Sequence, residues 1–240
     1  MARETPQTGE IYHVYNRGAH KANIFSDAID IVRFLEGMKF FNTLEPTGGF
    51  YDHYKVSSMT LGSQTPQCVE FTLREHAHDT VCSGGFQQPE DALVRILSYA
   101  LLPNHIHFLL EQLVDDGISE FMRRLSGGYT LYYNERNDTS GVLFQGTYKR
   151  KRIHSDEYLR YLIAYINCNE IVHDHTFTFA LSESLRNLLS SKQQFIKRLP
   201  GVCNIDVLPD FAQDASFWRE ANVLAKTIRD NRDVARLLCE

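Results

Sequence analysis

The alternation of apolar and polar residues predicts a strand, a helix and a hairpin in the first half of the chain. Residues 11–15 are β-branched and aromatic and predict a strand, which Asn16-Arg17-Gly18 ends. Ser26 is a candidate helix cap, and apolar residues then recur at helical spacing to about residue 44. Residues 93–102 and 105–111 are strand-like and are joined by a Pro-Asn turn, so together they predict a β-hairpin.

The second half is predicted to be mainly helical. Residues 118–136 carry aromatic and apolar side chains near one helical face, and residues 142–148 form a short extended segment. Ser155 precedes a predicted helix over residues 156–172, whose first turn is acidic, as the helix dipole favours. The tail is predicted to be helical over residues 181–195 and 217–238.

This order of elements predicts an α+β fold. Strand, helix, two-strand hairpin, helix, strand and helix suit a ferredoxin-like or RRM-like antiparallel sheet with helices packed on it. The interpretation assigns one domain to residues 1–173 and a helical C-terminal extension to residues 174–240. Within the domain, residues 46–92 are rich in Gly, Ser, Thr, Gln and Pro and are interpreted as an insertion, with short strands at 54–59 and 69–73.

Composition limits the classes of function. The chain has 240 residues, of which 43% are hydrophobic and 23% charged, which excludes wholesale disorder. Its net charge is -5, so any nucleic-acid site must be a local basic patch. The five cysteines are scattered without a C-x-x-C pair, which disfavours a disulfide framework or structural zinc. Neither a signal peptide nor a membrane span is predicted, so we expect a cytoplasmic protein.

Two segments carry candidate metal ligands and a candidate nucleophile. His105 and His107 are two apart on a predicted strand, so both imidazoles share a face and form a ready pair of ligands. Tyr165 and Asn169 are four apart on a predicted helix, which would place an amide oxygen one turn from a phenol. The alternatives are two inert histidines in a half-exposed sheet and a tyrosine stripe that packs on it.

A run of four cations, Lys149, Arg150, Lys151 and Arg152, lies between these segments. Residues 117–160 hold eight Lys and Arg against five Asp and Glu, a local net charge of +3 in an acidic chain. Guanidinium and ammonium groups bind phosphates, so the run is a candidate contact with a nucleic-acid backbone. The alternative is a solvated cationic turn.

Four motifs occur in one order and carry a family resemblance. They are Tyr-His-Val-Tyr-Asn-Arg-Gly at 12–18, Pro-Asn-His-Ile-His-Phe-Leu-Leu at 103–110, Gly-Val-Leu-Phe-Gln-Gly-Thr-Tyr-Lys at 141–149 and Tyr-Ile-Asn-Cys-Asn at 165–169. In this order they resemble the single-tyrosine HUH transposases of the insertion-sequence-200 kind, and among these the REP-associated tyrosine transposases. The resemblance spans about residues 9–173.

The resemblance implies a metal-dependent enzyme that cleaves and joins single-stranded or hairpin DNA during transposition. Tyr165 would be the nucleophile that forms a 5′-phosphotyrosine, and His105, His107 and Asn169 would bind Mg²⁺ or Mn²⁺. The family usually has proline after that asparagine, whereas this chain has Glu170. The family includes dimers that exchange the tyrosine helix and members that act alone, so a homodimer stays open.

Further residues are candidates for DNA contact. Arg123 and Arg124, with the cation run, would bind the backbone. Tyr129, Tyr132 and Tyr133 would stack unpaired bases or serve as alternative nucleophiles, or else pack in the core. Two other functions stay open. One is a non-catalytic module that binds single-stranded nucleic acid, and the other is a metal-dependent phosphoesterase with water as nucleophile.

Overall fold

A computed structural model describes residues 5–45, 91–173, 176–197, 202–204 and 210–231. Nearly all of the predicted insertion, including the strands expected at 54–59 and 69–73, lies outside these ranges. The described part contains a four-stranded antiparallel sheet in the order β2-β3-β1-β4. The strands are β1 (Ile11–Arg17), β2 (Val94–Leu102), β3 (His105–Gln112) and β4 (Lys149–Arg152).

Two helices complete the predicted ferredoxin-like order. They are α1 (Ala28–Phe40), between β1 and β2, and α2 (Gly117–Arg136), between β3 and β4. Both pack on one face of the sheet, where the Phe108 ring lies 6.4 Å from Phe34 and 6.2 Å from Phe121. The β-α-β-β-α-β succession with β1 and β3 in the centre is the ferredoxin-like arrangement, which confirms the predicted fold class.

A second helical layer covers the other face. Helix α3 (Asp156–Asn167) lies on β2 and β3, and the short α4 (Asn169–His173) follows it. The extension adds α5 (Glu183–Arg186), α6 (Lys192–Lys197) and α7 (Ala215–Asp230), of which α7 packs on α3 and α4. Among the described residues, no helix has both the length and the apolar character that crossing a bilayer requires.

Strand register decides which side chains share a face. Tyr15 lies opposite His107 on β3 and Lys149 on β4, and His13 lies opposite Lys151. Directly paired residues point to the same side of a sheet. We call the side beneath α3 the histidine face, and it carries His13, Tyr15, His105, His107, Lys149 and Lys151.

Several predicted boundaries are wrong. The N-cap of α1 is Asp27, which accepts hydrogen bonds from the backbone N–H groups of Ile29 and Asp30, and not Ser26. The segment 142–148 forms only an isolated bridge, from Phe144 to Gly18, and the strand begins at Lys149. The cation run is therefore a strand and not a turn, because it pairs with β1.

The single helix predicted over 181–195 is also wrong. Between α5 and α6, residues 187–191 are not helical and follow the outer edge of β2. Leu189 accepts a hydrogen bond from the Leu101 N–H at 2.7 Å, and the Ser191 N–H donates to Tyr99 at 3.1 Å. These bonds satisfy backbone groups at the sheet edge, which helical propensity does not anticipate. The helix predicted over 156–172 is interrupted at Cys168, whose φ of -110° and ψ of 11° are not helical.

Candidate active site

The two histidines of β3 lie side by side on the histidine face, as strand alternation predicts. Their ring centroids are 5.0 Å apart at an interplanar angle of 83°. The intervening Ile106 and the following Phe108 are fully buried in the opposite layer. That layer anchors β3, so both imidazoles are held on a rigid strand.

Helix α3 places Tyr165 over this pair. Ser155 caps the helix by accepting a hydrogen bond from the Tyr158 N–H at 3.2 Å, and Leu162, Ile163 and Ile166 bury its apolar face. The Tyr165 ring lies 5.8 Å from the His107 ring, edge to face at 86°. The candidate nucleophile is thus a neighbour of the histidine pair within one chain.

Asn169 reaches the same site from the other side of the helix break. Its side-chain Oδ1 lies 3.3 Å from Nε2 of His105, and the residue is fully buried. Its Nδ2 has no hydrogen-bond partner among the described residues. Cys168, whose backbone departs from the helix, lies between Tyr165 near the end of α3 and Asn169 at the start of α4.

The donor set fits a divalent cation. Asn104 donates from its Nδ2 to the Lys21 carbonyl, so its Oδ1 accepts from Nδ1 of His105 at 2.7 Å. This assignment leaves a lone pair on Nε2 of His105, which faces the Asn169 oxygen. Two acceptors at this distance could bind one cation between them.

No group of three or more His, Cys, Asp or Glu within the described ranges is arranged to hold a metal. The candidate set of His105, His107 and Asn169 depends on an amide as its third member. Glu170, which stands where the family usually has proline, is exposed.

His13 and Tyr15 are site residues that the sequence analysis did not assign. Nε2 of His13 lies 3.0 Å from Nδ1 of His107, and the two rings stack 5.2 Å apart. The Tyr15 ring lies 5.8 Å from the His107 ring. Burial, with the nearby charge of Lys151, lowers the pKa of His13 to about 4. Alternation along β1 gives these two residues a common face, but only the register shows that it is the histidine face.

The cation run is divided between the two faces of the sheet. Lys149 and Lys151 lie on the histidine face and are exposed. Arg150 and Arg152 point to the opposite side, where Arg150 lies over the Tyr148 ring and Arg152 bonds to Glu10 at 3.0 Å. Only the two lysines of the run therefore share a face with the histidine pair.

The remaining candidates lie on α2, away from the histidine face. Arg123 and Arg124 both form ion pairs with Glu120 at 2.6 Å. Tyr129 is buried and donates to the Ile24 carbonyl at 2.7 Å, and Tyr132 donates to Asp30 at 3.1 Å. The Tyr133 hydroxyl bonds to Ser26 at 3.0 Å. The structure does not bring these residues to the histidine pair, and the three tyrosines pack α2 against the loop before α1 and against α1 itself.

Comparison with known proteins supports the family resemblance. Residues 79–169 match the family described as IS200-like transposases, and this range includes both histidines, Tyr165 and Asn169. No curated protein matches the chain. A solved structure of a REP-associated tyrosine transposase bound to a REP hairpin is 14% identical, with a TM-score of 0.45, over 90% of this chain and 94% of that one. This match confirms the family resemblance drawn from the sequence motifs.

Proposed function

We propose that this protein cleaves and rejoins single-stranded DNA through a covalent bond to Tyr165, as a transposase of the HUH single-tyrosine type. One observation carries the proposal. The Tyr165 ring lies 5.8 Å from His107, while Asn169 lies 3.3 Å from His105 in the same chain. A tyrosine ring, two imidazoles and an amide oxygen therefore lie near one another on the histidine face, which supports the proposal.

The reaction exchanges one phosphodiester for another. The Tyr165 oxygen attacks phosphorus, its proton passes to solvent, and an O–P bond forms as the P–O3′ bond breaks. The departing 3′ oxygen takes up a proton, and a 5′-phosphotyrosine remains. A later 3′-hydroxyl reverses the step and releases Tyr165. Because the covalent intermediate preserves the free energy of the bond, no nucleoside triphosphate is required.

His105, His107 and Asn169 would hold Mg²⁺ or Mn²⁺. When bound, such an ion supplies Lewis-acid stabilisation of charge on the scissile phosphate. The protein contributes orientation: β3 fixes the imidazoles, and α3 fixes the phenol, whose ordinary pKa near 10 makes it a poor nucleophile without help. We propose that the substrate is single-stranded or hairpin DNA and that the enzyme acts in the cytoplasm.

The test is trapping of the covalent adduct. An oligonucleotide labelled at its 3′ end is incubated with protein and Mn²⁺, and the label is followed in a denaturing gel. We expect the wild-type chain to retain the 3′ fragment through its 5′ phosphate. Tyr165→Phe should form no adduct but bind the oligonucleotide with unchanged affinity, and a chelator should abolish the adduct in the wild type. Tyr133→Phe, which removes a phenol on the far side of the sheet, is the matched control.

Each other outcome identifies an alternative. An adduct that survives in Tyr165→Phe would show that another residue is the nucleophile. Cleavage without a protein-linked fragment would indicate a phosphoesterase that uses water. Binding of hairpin DNA without any cleavage would indicate a non-catalytic module.

A further inference from the structure

A row of three parallel tyrosines leads along α3 to the candidate active site. Tyr158 and Tyr161 stack with centroids 6.1 Å apart at 13°, and Tyr161 and Tyr165 stack at 6.0 Å and 16°. The ammonium of Lys151 lies 4.9 Å from the Tyr158 ring centroid, at the outer end of the row. Tyr158 and Tyr161 are only partly buried, so solvent reaches both, whereas Tyr165 is buried against His107.

Exposed cations follow the same face. Lys149 and Lys151 project from β4, and Arg17 on β1 lies directly opposite His105. All three are exposed, while Arg152 of the same strand is held by Glu10 on the other side of the sheet. The chain as a whole has a net charge of -5, so this concentration of positive charge on one face is local.

We propose that Lys149, Lys151, Tyr158 and Tyr161 form the binding track for the nucleotides that flank the scissile phosphate. This inference rests on the proposed function and names the substrate contacts of that site. Proteins that bind single strands combine a cationic groove along the backbone with aromatic rings that stack bases. Here both components lie on one face and end at Tyr165. The lysines bind phosphates, and the two tyrosines offer ring surface to unpaired bases.

Strand alternation supplies a matched test of the cationic half. Binding of a labelled single-stranded oligonucleotide is measured by fluorescence anisotropy in a chelator, so that no cleavage occurs, over a series of salt concentrations. The double variant Lys149→Gln, Lys151→Gln should reduce the slope of log affinity against log salt by about 0.7 per lost phosphate contact, or about 1.4 in total. Arg150→Gln, from the same strand but the opposite face, should leave the slope unchanged.

The aromatic half is tested by removing one ring. Tyr161→Ala should weaken binding between about fivefold and 150-fold, which is the contribution of one base stacked on an aromatic ring. Tyr161→Phe keeps the ring and should bind like the wild type. Tyr158→Leu, which removes the ring but keeps an apolar side chain, gives a second test at the outer end of the row and should also weaken binding. Thermal unfolding of each variant shows whether it is folded at the assay temperature.

Two results would overturn the track. One is a slope of log affinity against log salt in the double lysine variant that equals the wild-type slope. The other is a reduction of that slope in Arg150→Gln as large as the reduction in the double lysine variant. Either would leave adduct formation by Tyr165 intact, so failure of the track is distinguishable from failure of the proposed chemistry. If wild-type protein binds DNA on this track but never forms an adduct, the proposed chemistry fails and the track stands.

Discussion

At the scale of single residues, the contact between His13 and His107 is the most consequential feature that the motifs did not assign. A ring nitrogen of each histidine meets the other at 3.0 Å, and both residues are buried. Histidines that bind metals commonly hydrogen-bond through their second ring nitrogen, which fixes the tautomer and the ring orientation, and His13 is the group in that position here. If His107 binds the metal, its contact with His13 therefore sets the orientation of the ligand.

Replacing His13 should therefore weaken metal binding without touching a proposed ligand. We expect His13→Ala to lower the affinity for Mn²⁺ about 10- to 100-fold, since loss of such an outer contact typically has that effect. The free Mn²⁺ signal in electron paramagnetic resonance, recorded without DNA, measures this directly. His154→Ala, which removes an exposed imidazole, is the control. An unchanged affinity in His13→Ala would contradict the orientation that we assign.

Glu120 at the start of α2 gives a second residue-scale prediction, on pH. Hydrogen bonds from Arg123, opposed by burial and reinforced by Arg124, lower the pKa of Glu120 from an ordinary value of 4.5 to about 2. Between these two pKa values the carboxylate binds more protons in the unfolded chain than in the folded one. The contribution of Glu120 to the free energy of unfolding is therefore complete above about pH 4.5 and is lost as the pH falls through 2.

Glu120→Gln should then reduce the free energy of unfolding at pH 7 by no more than about 1 kcal/mol, because the side chain is partly exposed and screened. Near pH 2 the variant and the wild type should be equally stable. Urea unfolding at both pH values measures the difference. A difference that stays constant across this range would mean that the ion pairs contribute nothing.

At the scale of elements, a buried polar triangle ties the end of α3 to the extension. Asn167 donates to the Ser98 hydroxyl at 2.8 Å and accepts from the Ser191 hydroxyl at 2.8 Å, and the two serines lie 2.8 Å apart. All three residues are buried. They belong to α3, β2 and the extension, so the triangle fixes the segment between Tyr165 and Asn169 against the sheet.

Removing one corner should destabilise the protein measurably. Ser191→Ala leaves the Asn167 oxygen buried without this donor, which should cost about 1–3 kcal/mol in the free energy of unfolding. Chemical denaturation gives the value. Ser190→Ala, one residue away in the isolated bridge to Ala100, keeps all three bonds and should cost less. An equal loss of unfolding free energy in both variants would show that the hydrogen bonds of the triangle do not stabilise the protein.

The elements also show what sequence can and cannot predict. Alternation along β3 places His105 and His107 on one face regardless of context, and the order of elements gives the ferredoxin-like sheet. The cation run forms a strand by pairing with β1, and residues 187–191 leave the helix and bond to the edge of β2. His13 was missed for the same reason, since cross-strand register is a tertiary property that a single strand does not encode.

At the scale of the whole molecule, one chain contributes every residue of the candidate site. The two central strands carry the histidines, α3 carries Tyr165, and α4 begins with Asn169. Tyr165 lies beside its own His107, at 5.8 Å between ring centroids. The structure thus supports a tyrosine that acts in its own subunit, whereas exchange of α3 between two copies would place it in the partner's site.

Mixing two inactive variants distinguishes these arrangements. Tyr165→Phe keeps the histidines but lacks the nucleophile, and His105→Ala keeps the nucleophile but lacks a proposed ligand. If each chain builds its own site, an equimolar mixture should form no more adduct with single-stranded DNA than either variant alone. If tyrosine helices are exchanged, subunits that combine one intact histidine pair with one intact Tyr165 should restore part of the activity. The mixture must be unfolded and refolded together to allow exchange, with wild-type protein treated in the same way as the reference for full activity.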